Sequence, residues 1–219
     1  LGAAEGFEAL EVAVRGKGRT LNVEPEPDAV RAALAEAVAV LDASMRVRLT
    51  DEMIAAAPNL RIISCATTGS DHIARGAADE RGIEIRTLRE DPELLQNLTP
   101  AAELSWALLL ACARQLPPAV SHVLAGNWRR EEFSGTMLRG RQLGIVGVGR
   151  IGGWMARYAR AFGMEVAGCD PNVAVLPEGV RALSLGELVR TSDFLTIHVH
   201  LDEHTRGMIS AEVLAQAKP

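Results

Sequence analysis

Three closely spaced glycines, Gly147, Gly149 and Gly152, have the spacing of a turn that can bind phosphate groups. The apolar run 143–146 before them predicts a buried parallel strand, and residues 153–162 predict a helix because apolar residues recur at helical spacing. In such a unit the first glycine permits the tight turn, the second lets the backbone approach a diphosphate, and the third allows close helix–strand packing. Unpaired N–H groups at the helix N-terminus favour an anion. The spacing therefore predicts a dinucleotide-binding turn.

An acidic residue follows at the distance that this kind of site requires. Residues 164–169 predict a second strand, and Asp170 comes directly after it, 18 residues beyond Gly152. A carboxylate there accepts hydrogen bonds from both ribose hydroxyls of NAD and repels the 2′-phosphate of NADP. A lone glycine turn could be an ordinary loop, but the strand, the helix and the acid together favour a nucleotide site. We therefore predict NAD as the cofactor.

The composition is typical of a soluble globular protein. Of the 219 residues 48% are hydrophobic, and the formal net charge is −5. Lys and Arg are scattered along the chain, so we expect no nucleic-acid surface. The longest apolar stretch, 104–113, is about half of the roughly 20 residues that a membrane span requires, so we expect a buried helix and no membrane association.

The cysteines and the chain ends predict the compartment and the extent of the chain. Cys65, Cys112 and Cys169 are odd in number and lie in apolar runs, which predicts reduced cysteines in a cytoplasmic protein. Residues 1–4 lack an initiator Met and do not form the basic start of a signal peptide. No strand follows the helix expected after Ser210. We therefore expect a chain that is truncated at both ends.

Strand-like and helix-like segments alternate before the glycine turn, which predicts a parallel α/β sheet. Asp28 and Thr50 are the expected N-caps of two of the helices. The last strand-like segment runs into a second glycine turn at 66–72, and ligands of open α/β sheets gather at such strand ends. The segments are 10–14, 28–37, 37–41, 50–57 and 60–65.

A polar stretch that contains proline, around 90–93, predicts the approach to a domain boundary, which we place between residues 96 and 97. Residues 99–103 begin a long helix through Ala113, and Pro117 and Pro118 interrupt it. The predicted fold is a Rossmann-like doubly wound parallel sheet domain, 97–219, that lacks its C-terminal strands. A smaller flavodoxin-like α/β domain, 1–96, precedes it and lacks its first strand.

Four segments together resemble the NAD-dependent D-isomer-specific 2-hydroxyacid dehydrogenases, a phosphoglycerate dehydrogenase-like family. They stand in the family's order and cover nearly the whole chain. The resemblance implies a substrate domain and a nucleotide domain across a cleft, and hydride transfer between NAD and a D-2-hydroxy acid/2-keto acid pair. The segments are AAPNLRIISCATTGSD (56–71), NLTPAAELSWALLLACAR (97–114), LRGRQLGIVGVGRIGGWMARYARAFGMEVAGCDP (138–171) and HVHLDEHTRGMIS (198–210).

The resemblance also implies roles for individual residues. The turn of Thr68, Gly69 and Ser70 would offer backbone N–H groups to the substrate carboxylate. The loop from 198 to 205 would pass the nicotinamide side. Arg150 and Ile151, which directly follow the second glycine, would lie over the pyrophosphate. The predicted cofactor-binding residues are Gly147, Gly149, Arg150, Ile151, Gly152, Asp170, His198, His200 and Thr205.

Two positions depart from the family's pattern near the nicotinamide. His200 stands where many members have proline, and Ala101 stands where many have a hydroxyl or branched residue. His198 and His200 also lie on one face of a strand, next to acidic residues, which would suit zinc. We favour the nucleotide loop and expect no metal, because no Cys or second spaced pair completes a ligand set.

Hydride transfer also needs a base for the hydroxyl proton and a cation for the carboxylate. Family members supply a His oriented by a Glu, and an Arg, all after the segment that matches 215–219. We therefore predict no catalytic residue in this chain, which is expected to bind NAD only. Two alternatives stay open: an NAD-sensing, non-catalytic binding protein of the same fold, corepressor-like, and another NAD-dependent enzyme with paired α/β domains. The family also implies a homodimer, to which the helix near Glu103 and the loop of Trp128 contribute.

Overall fold

The computed structural model describes residues 4–171 and 176–218. The chain divides into two compact units, Leu1–Leu95 and Gln96–Pro219. The sequence-based boundary lies one residue further along the chain. A short helix, 92–97, crosses the division, at the polar stretch where the sequence analysis expects a boundary.

The first unit contains a three-stranded parallel sheet in the order β1-β2-β3. Its core is built from aliphatic side chains, and Leu49, Ile54 and Ile63 are completely buried. The elements are α1 (Ala4–Val14), α2 (Pro27–Leu34), β1 (Ala39–Asp42), α3 (Asp51–Ala55), β2 (Ile62–Cys65), α4 (Arg75–Glu80), β3 (Glu84–Arg86) and α5 (Pro92–Asn97).

Two local predictions for this unit are wrong and one is confirmed. Residues 10–14 end helix α1 and form no strand, because the Ala, Glu and Leu of this segment favour a helix. Asp28 is not an N-cap: α2 begins one residue earlier at Pro27, whose fixed φ suits the first turn. Thr50 does cap α3, since its side chain accepts a hydrogen bond from the Met53 N–H at 3.3 Å.

The second unit contains a four-stranded parallel sheet in the order β6-β5-β4-β7. Ser184 and Ser210 cap α9 and α10 through their side chains. The elements are α6 (Pro100–Ala113), α7 (Leu116–Leu124), β4 (Gln142–Val146), α8 (Arg150–Ala161), β5 (Glu165–Cys169), β6 (Arg181–Ala182), α9 (Leu185–Thr191), β7 (Phe194–Ile197) and α10 (Ala211–Leu214).

Strand β4 is the central element of this unit, and all five of its residues are buried. Leu143 and Ile145 belong to a core shared with α6 and α8, whereas Val146 belongs to a second core with Leu188 of α9. Helices therefore cover both faces of the sheet, which confirms the predicted parallel α/β architecture. The chain runs from β4 outward to β6 and returns on the other side of β4 to β7, so the connections reverse direction at β4. Ligands of such sheets bind at the carboxyl ends of the strands at this reversal.

Two features of the helices bear on earlier expectations. Helix α8 begins at Arg150, three residues before the predicted start, because Gly149 is its N-cap. Helix α7 begins at Leu116, after Gln115 in a left-handed conformation with φ of 54°, so the two prolines lie in its first turn.

Over the described ranges no single helix is long and apolar enough to cross a membrane. The bent pair Pro92–Ala113 and Leu116–Leu124, 67° apart, passes that test only when the two are taken together.

Candidate functional site

The turn after β4 is held in place by the backbone around Gly147. Gly147 has φ of 85°, a conformation that L side chains rarely adopt, and its N–H donates to the Cys169 carbonyl at 2.9 Å. A Cβ atom at this position would lie 2.8 Å from the Val199 side chain and 2.9 Å from the His198 carbonyl group. Conformation and space both require glycine here, which confirms the role in the tight turn predicted for it.

The other two glycines of the turn differ in what surrounds them. A Cβ atom on Gly152 would overlap the Gly147 carbonyl oxygen and lie 3.1 Å from the Ile145 side chain, so α8 packs directly on β4. A Cβ atom on Gly149 would meet no protein atom within 4 Å, and its φ of −72° is ordinary. The packing prediction for Gly152 is confirmed. At Gly149 the protein itself does not require glycine, and the open space fits a ligand that approaches the backbone closely.

Asp170 follows β5 directly and lies beside the glycine turn. Its Oδ2 accepts a hydrogen bond from the Val148 N–H at 2.7 Å, and the residue is half-buried. The carboxylate thus holds the turn, and its contact with a ribose stays a prediction. The sequence analysis missed the bond to Val148, since that position in the glycine motif carries no side-chain signal.

Arg150 is the first residue of α8 and Ile151 the second, and both are half-buried. Arg150 Nη1 donates a hydrogen bond to the Leu98 carbonyl at 2.6 Å, which joins the start of α8 to the segment just before α6. A guanidinium at a helix N-terminus that already favours anions would add positive charge for a pyrophosphate. The contact of Arg150 and Ile151 with a coenzyme stays a prediction.

The segment after β7 forms the other side of the glycine turn. His198 Nε2 lies 2.7 Å from the Thr196 Oγ1, and burial lowers the pKa of His198, which favours the neutral imidazole. Thr205 has a structural role that the sequence analysis missed: its hydroxyl donates to the His200 carbonyl and accepts the Asp202 N–H. The Thr205 N–H in turn lowers the pKa of Asp202. The backbone of His198 lies beside Gly147 of the glycine turn, whereas His200 is exposed.

The zinc alternative for this segment finds no ligand set in the structure. Within 4–171 and 176–218, no three His, Cys, Asp or Glu side chains are placed to hold a metal ion. The contacts of the segment are instead hydrogen bonds that shape the loop.

The Thr68–Ser70 turn of the first unit follows β2 and is half-buried. Thr67 Oγ1 donates to the Gly69 carbonyl at 2.9 Å, and Arg75 Nη2 donates to Ser70 Oγ at 2.8 Å. The backbone N–H groups of residues 68–70 donate to no other described residue. Free N–H groups at a strand end suit a carboxylate, so the geometry agrees with the role that the family resemblance implies.

A buried hydrogen-bonded pair of side chains lies next to this turn and was not anticipated. His72 is 8% exposed, and its Nε2 lies 2.8 Å from the Oδ2 of Asp42, which is 0% exposed. The partner could not be identified from sequence, because it lies 30 residues away; the one signal is an acidic residue at the end of the apolar strand 39–42.

The second unit thus combines a strand, a glycine turn, a helix and an acid in the arrangement of a dinucleotide-binding α/β protein. Residues 106–219 match the family model described as D-isomer specific 2-hydroxyacid dehydrogenase, NAD binding domain, and residues 5–88 match that of the catalytic domain. The chain belongs to the D-isomer specific 2-hydroxyacid dehydrogenase family. Its second unit is the NAD-binding domain of that family.

Similar proteins include the D-3-phosphoglycerate dehydrogenase of Mycobacterium tuberculosis, which is 37% identical over 198 residues, 89% of this chain and 36% of the relative. Among solved structures, the NAD-dependent formate dehydrogenase of Staphylococcus aureus in complex with NAD is 25% identical with a TM-score of 0.85, covering 100% of this chain and 65% of that one. The D-lactate dehydrogenase of Aquifex aeolicus, complexed with NAD and lactic acid, is 26% identical with a TM-score of 0.81, covering 99% and 64%. The chain spans about a third of the length of the curated relatives it matches.

Proposed function

We propose that this chain is the coenzyme-binding and substrate-binding part of an oxidoreductase that transfers a hydride between NAD and a D-2-hydroxy acid/2-keto acid pair. The observation that carries the proposal is the open backbone at Gly149 with the Asp170 carboxylate beside the same turn. NAD supplies the hydride acceptor, or NADH the donor, when it is bound. The non-catalytic alternative is not favoured, because the relatives described above are all named as dehydrogenases.

Different residues would bind the diphosphate and the ribose of the coenzyme. The first turn of α8, with Gly149 and Arg150, would hold the diphosphate through N–H groups and a cation. Asp170 would accept the ribose hydroxyls and repel a 2′-phosphate, which selects NAD over NADP. A neutral His198 beside the turn leaves the nicotinamide side without an added positive charge.

The substrate carboxylate would bind to the free N–H groups of residues 68–70. The family resemblance assigns the Arg, Glu and His that carry out catalysis to sequence after residue 219, so the chain alone would bind coenzyme without turnover. A protein extended through those residues would catalyse the reaction.

Two measurements test this function. Calorimetric titration of NADH into the 219-residue chain should show saturable binding, and the extended protein should oxidise NADH in the presence of a 2-keto acid. Absence of NADH binding to the folded chain would overturn the proposal. Tight NADH binding by an extended protein that turns over no 2-keto acid would favour the non-catalytic, NAD-sensing alternative.

We further propose that the protein forms a homodimer through an apolar face on α6, α7 and the loop after α7. Large apolar side chains on these elements are exposed, and a concentration of exposed apolar side chains favours an interaction site. Leu124→Asp should convert a dimer to a monomer in light scattering, whereas Leu94→Asp, outside this face, should not. An unchanged mass for Leu124→Asp would contradict the assignment. The exposed side chains are Leu104, Leu108, Leu116, Val120, Val123, Leu124 and Trp128.

We also propose that the protein acts on a small molecule in the cytoplasm and binds neither nucleic acid nor membrane. The support is the cysteine chemistry: all three cysteines are free thiols, and burial raises the pKa of Cys65 and of Cys169. Fractionation of cells that express the protein should recover it in the cytoplasm, and recovery in a membrane or secreted fraction would contradict this.

A further inference from the structure

The Asp42–His72 pair has no part in the coenzyme chemistry, yet among the described residues it is the most deeply buried pairing of a histidine, lysine or arginine with a carboxyl group. A buried carboxylate is costly unless hydrogen bonds compensate it. Asp42 accepts from His72 Nε2 at 2.8 Å through Oδ2, and from the Ser44 and Met45 N–H groups at 2.9 and 3.1 Å through Oδ1. Its burial is therefore compensated, and the arrangement is ordered.

The pair joins two loops that follow neighbouring strands. Asp42 is the last residue of β1, and its carbonyl accepts the Ala66 N–H just after β2. His72 lies two residues after Ser70, and its carbonyl accepts the Leu49 N–H at 2.9 Å. His72 Nδ1 is buried and has no hydrogen-bond partner in the described part of the chain, so the Asp42 carboxylate alone fixes the ring through a hydrogen bond there.

Asp42 also controls a residue that touches the substrate turn. Met45 has φ of 53°, a left-handed conformation that is unfavourable for a residue other than glycine, and the bond from its N–H to Asp42 holds it there. The Met45 methyl group lies 3.8 Å from the position of a Cβ atom on Gly69. Asp42 thus anchors His72, which follows the turn of residues 68–70 in the chain, and also holds Met45, whose methyl group lies close to Gly69.

We propose that Asp42 and His72 are positioning residues, which fix the Thr68–Ser70 turn so that its free N–H groups converge on the substrate carboxylate. This inference rests on the proposed function of that turn. The pair acts through the turn and does not itself contact the substrate. Its loss should therefore weaken substrate binding and leave the coenzyme unit unchanged.

Hydrogen exchange on the 219-residue chain tests the positioning role without any turnover. In His72→Leu, the hydrogen-bonded amides of Ala66 and Ile73, which flank the turn, should exchange about tenfold faster than in the wild type, because a buried hydrogen bond is lost. His72→Gln, whose amide can still donate to Asp42, should stay within about threefold of the wild type. Glu80→Gln, an exposed change on α4, is the matched control, and residues 142–153 are the internal reference.

Unchanged exchange at 66–73 in folded His72→Leu would overturn the inference, as would an equal increase over the whole first unit, which would indicate a general structural role. His72→Phe provides the second variant if His72→Leu does not fold, since its ring is close to the imidazole in size and cannot form the hydrogen bond to Asp42. Faster exchange confined to 66–73 in His72→Phe supports the inference, and unchanged exchange overturns it.

Steady-state kinetics of the extended protein provide the second readout. His72→Leu should raise the KM for the 2-keto acid about tenfold while kcat and the KM for NADH stay within about twofold, and His72→Gln should restore most of the loss. A fall in kcat with unchanged KM, or a parallel rise in the KM for NADH, would contradict the positioning role. If the wild type turns over no 2-keto acid, the proposed function fails, and hydrogen exchange still decides whether the pair fixes the turn.

Discussion

The two glycine turns of the molecule follow buried parallel strands, but they are held by different forces. The turn after β4 is fixed by the backbone, since a side chain at Gly147 or Gly152 would collide with main-chain atoms. The turn after β2 is fixed by side chains. A Cβ atom on Gly69 would meet only side-chain atoms, Asp71 Oδ1 at 3.1 Å and the Met45 methyl group, and no backbone atom. Bonds from Thr67, Arg75 and the Asp42–His72 pair give it its shape.

This difference determines how each turn should respond to substitution. A turn that is fixed by backbone contacts fails when a side chain is added at a position that faces those contacts, whatever the chemistry of the side chain. A turn that is fixed by side-chain bonds tolerates a small addition and fails when a hydrogen-bond partner is removed. The predictions below separate these two behaviours.

Gly152→Val should have the largest effect. Its side chain would overlap the Gly147 carbonyl oxygen, which cannot rotate away, and we expect the free energy of unfolding of the second unit to fall by about 3 kcal/mol, with loss of NADH binding. Chemical denaturation followed by tryptophan fluorescence measures this. A variant as stable as the wild type would show that the close packing of α8 on β4 is not required.

Gly149→Val should retain the fold and lose the coenzyme. Because its Cβ meets no protein atom, the melting temperature should change little, whereas NADH affinity should fall about a hundredfold if a ligand occupies that space. Gly153→Ala is the matched control, since a Cβ there also meets nothing and an alanine inside α8 favours the helix. Calorimetry that shows equal NADH affinity in Gly149→Val and the control would place the diphosphate elsewhere.

Gly69→Ala should be tolerated. Its closest neighbour is the end of the flexible Asp71 side chain, so the free energy of unfolding of the first unit should change by less than about 1 kcal/mol. Denaturation of this variant beside Gly152→Val compares the two turns directly. A loss as large as that of Gly152→Val would mean that the substrate turn is also fixed by its backbone.

The smallest expected effect is a pH dependence from His198. Burial lowers the pKa of His198 below its ordinary 6.5, so the unfolded chain binds this proton more readily than the folded one. The associated stability is present above about pH 6.5 and is lost as the pH falls toward the lowered pKa. Melting at pH 7 and 5.5 should show a larger decrease in the wild type than in His198→Gln. His204→Gln, an exposed control, should behave as the wild type, and equal decreases in all three would contradict the role of His198.

The sequence predicted the coenzyme turn well because its determinants are local. The strand, the glycines and Asp170 lie within about thirty residues, and their spacing reports backbone sterics directly. The predicted start of α8 is wrong by three residues because glycines at 152 and 153 do not favour a helix by themselves, and tertiary packing overrides that tendency.

The substrate turn could be located from sequence but not explained. Its shape depends on Asp42, which comes from another strand and carries no recognisable motif, and on Met45, whose left-handed backbone is set by that carboxylate. For residues 10–14 the sequence did not determine even the type of element, since a short apolar alternation is compatible with both a strand and the helix that the structure contains. Contacts with distant segments decide whether such a segment forms a strand or a helix.

The central claim is that the second unit binds NAD through the glycine turn and Asp170, and calorimetric titration of NADH and NADPH into the wild type and Asp170→Ala tests it most directly. The wild-type chain should bind NADH more tightly than NADPH. Asp170→Ala should weaken NADH binding at least tenfold, on the order of 1.4 kcal/mol, and NADPH binding much less, because the lost group both accepts ribose hydroxyls and repels the 2′-phosphate. Equal weakening of both coenzymes would show that Asp170 only supports the turn through Val148, and would contradict the account.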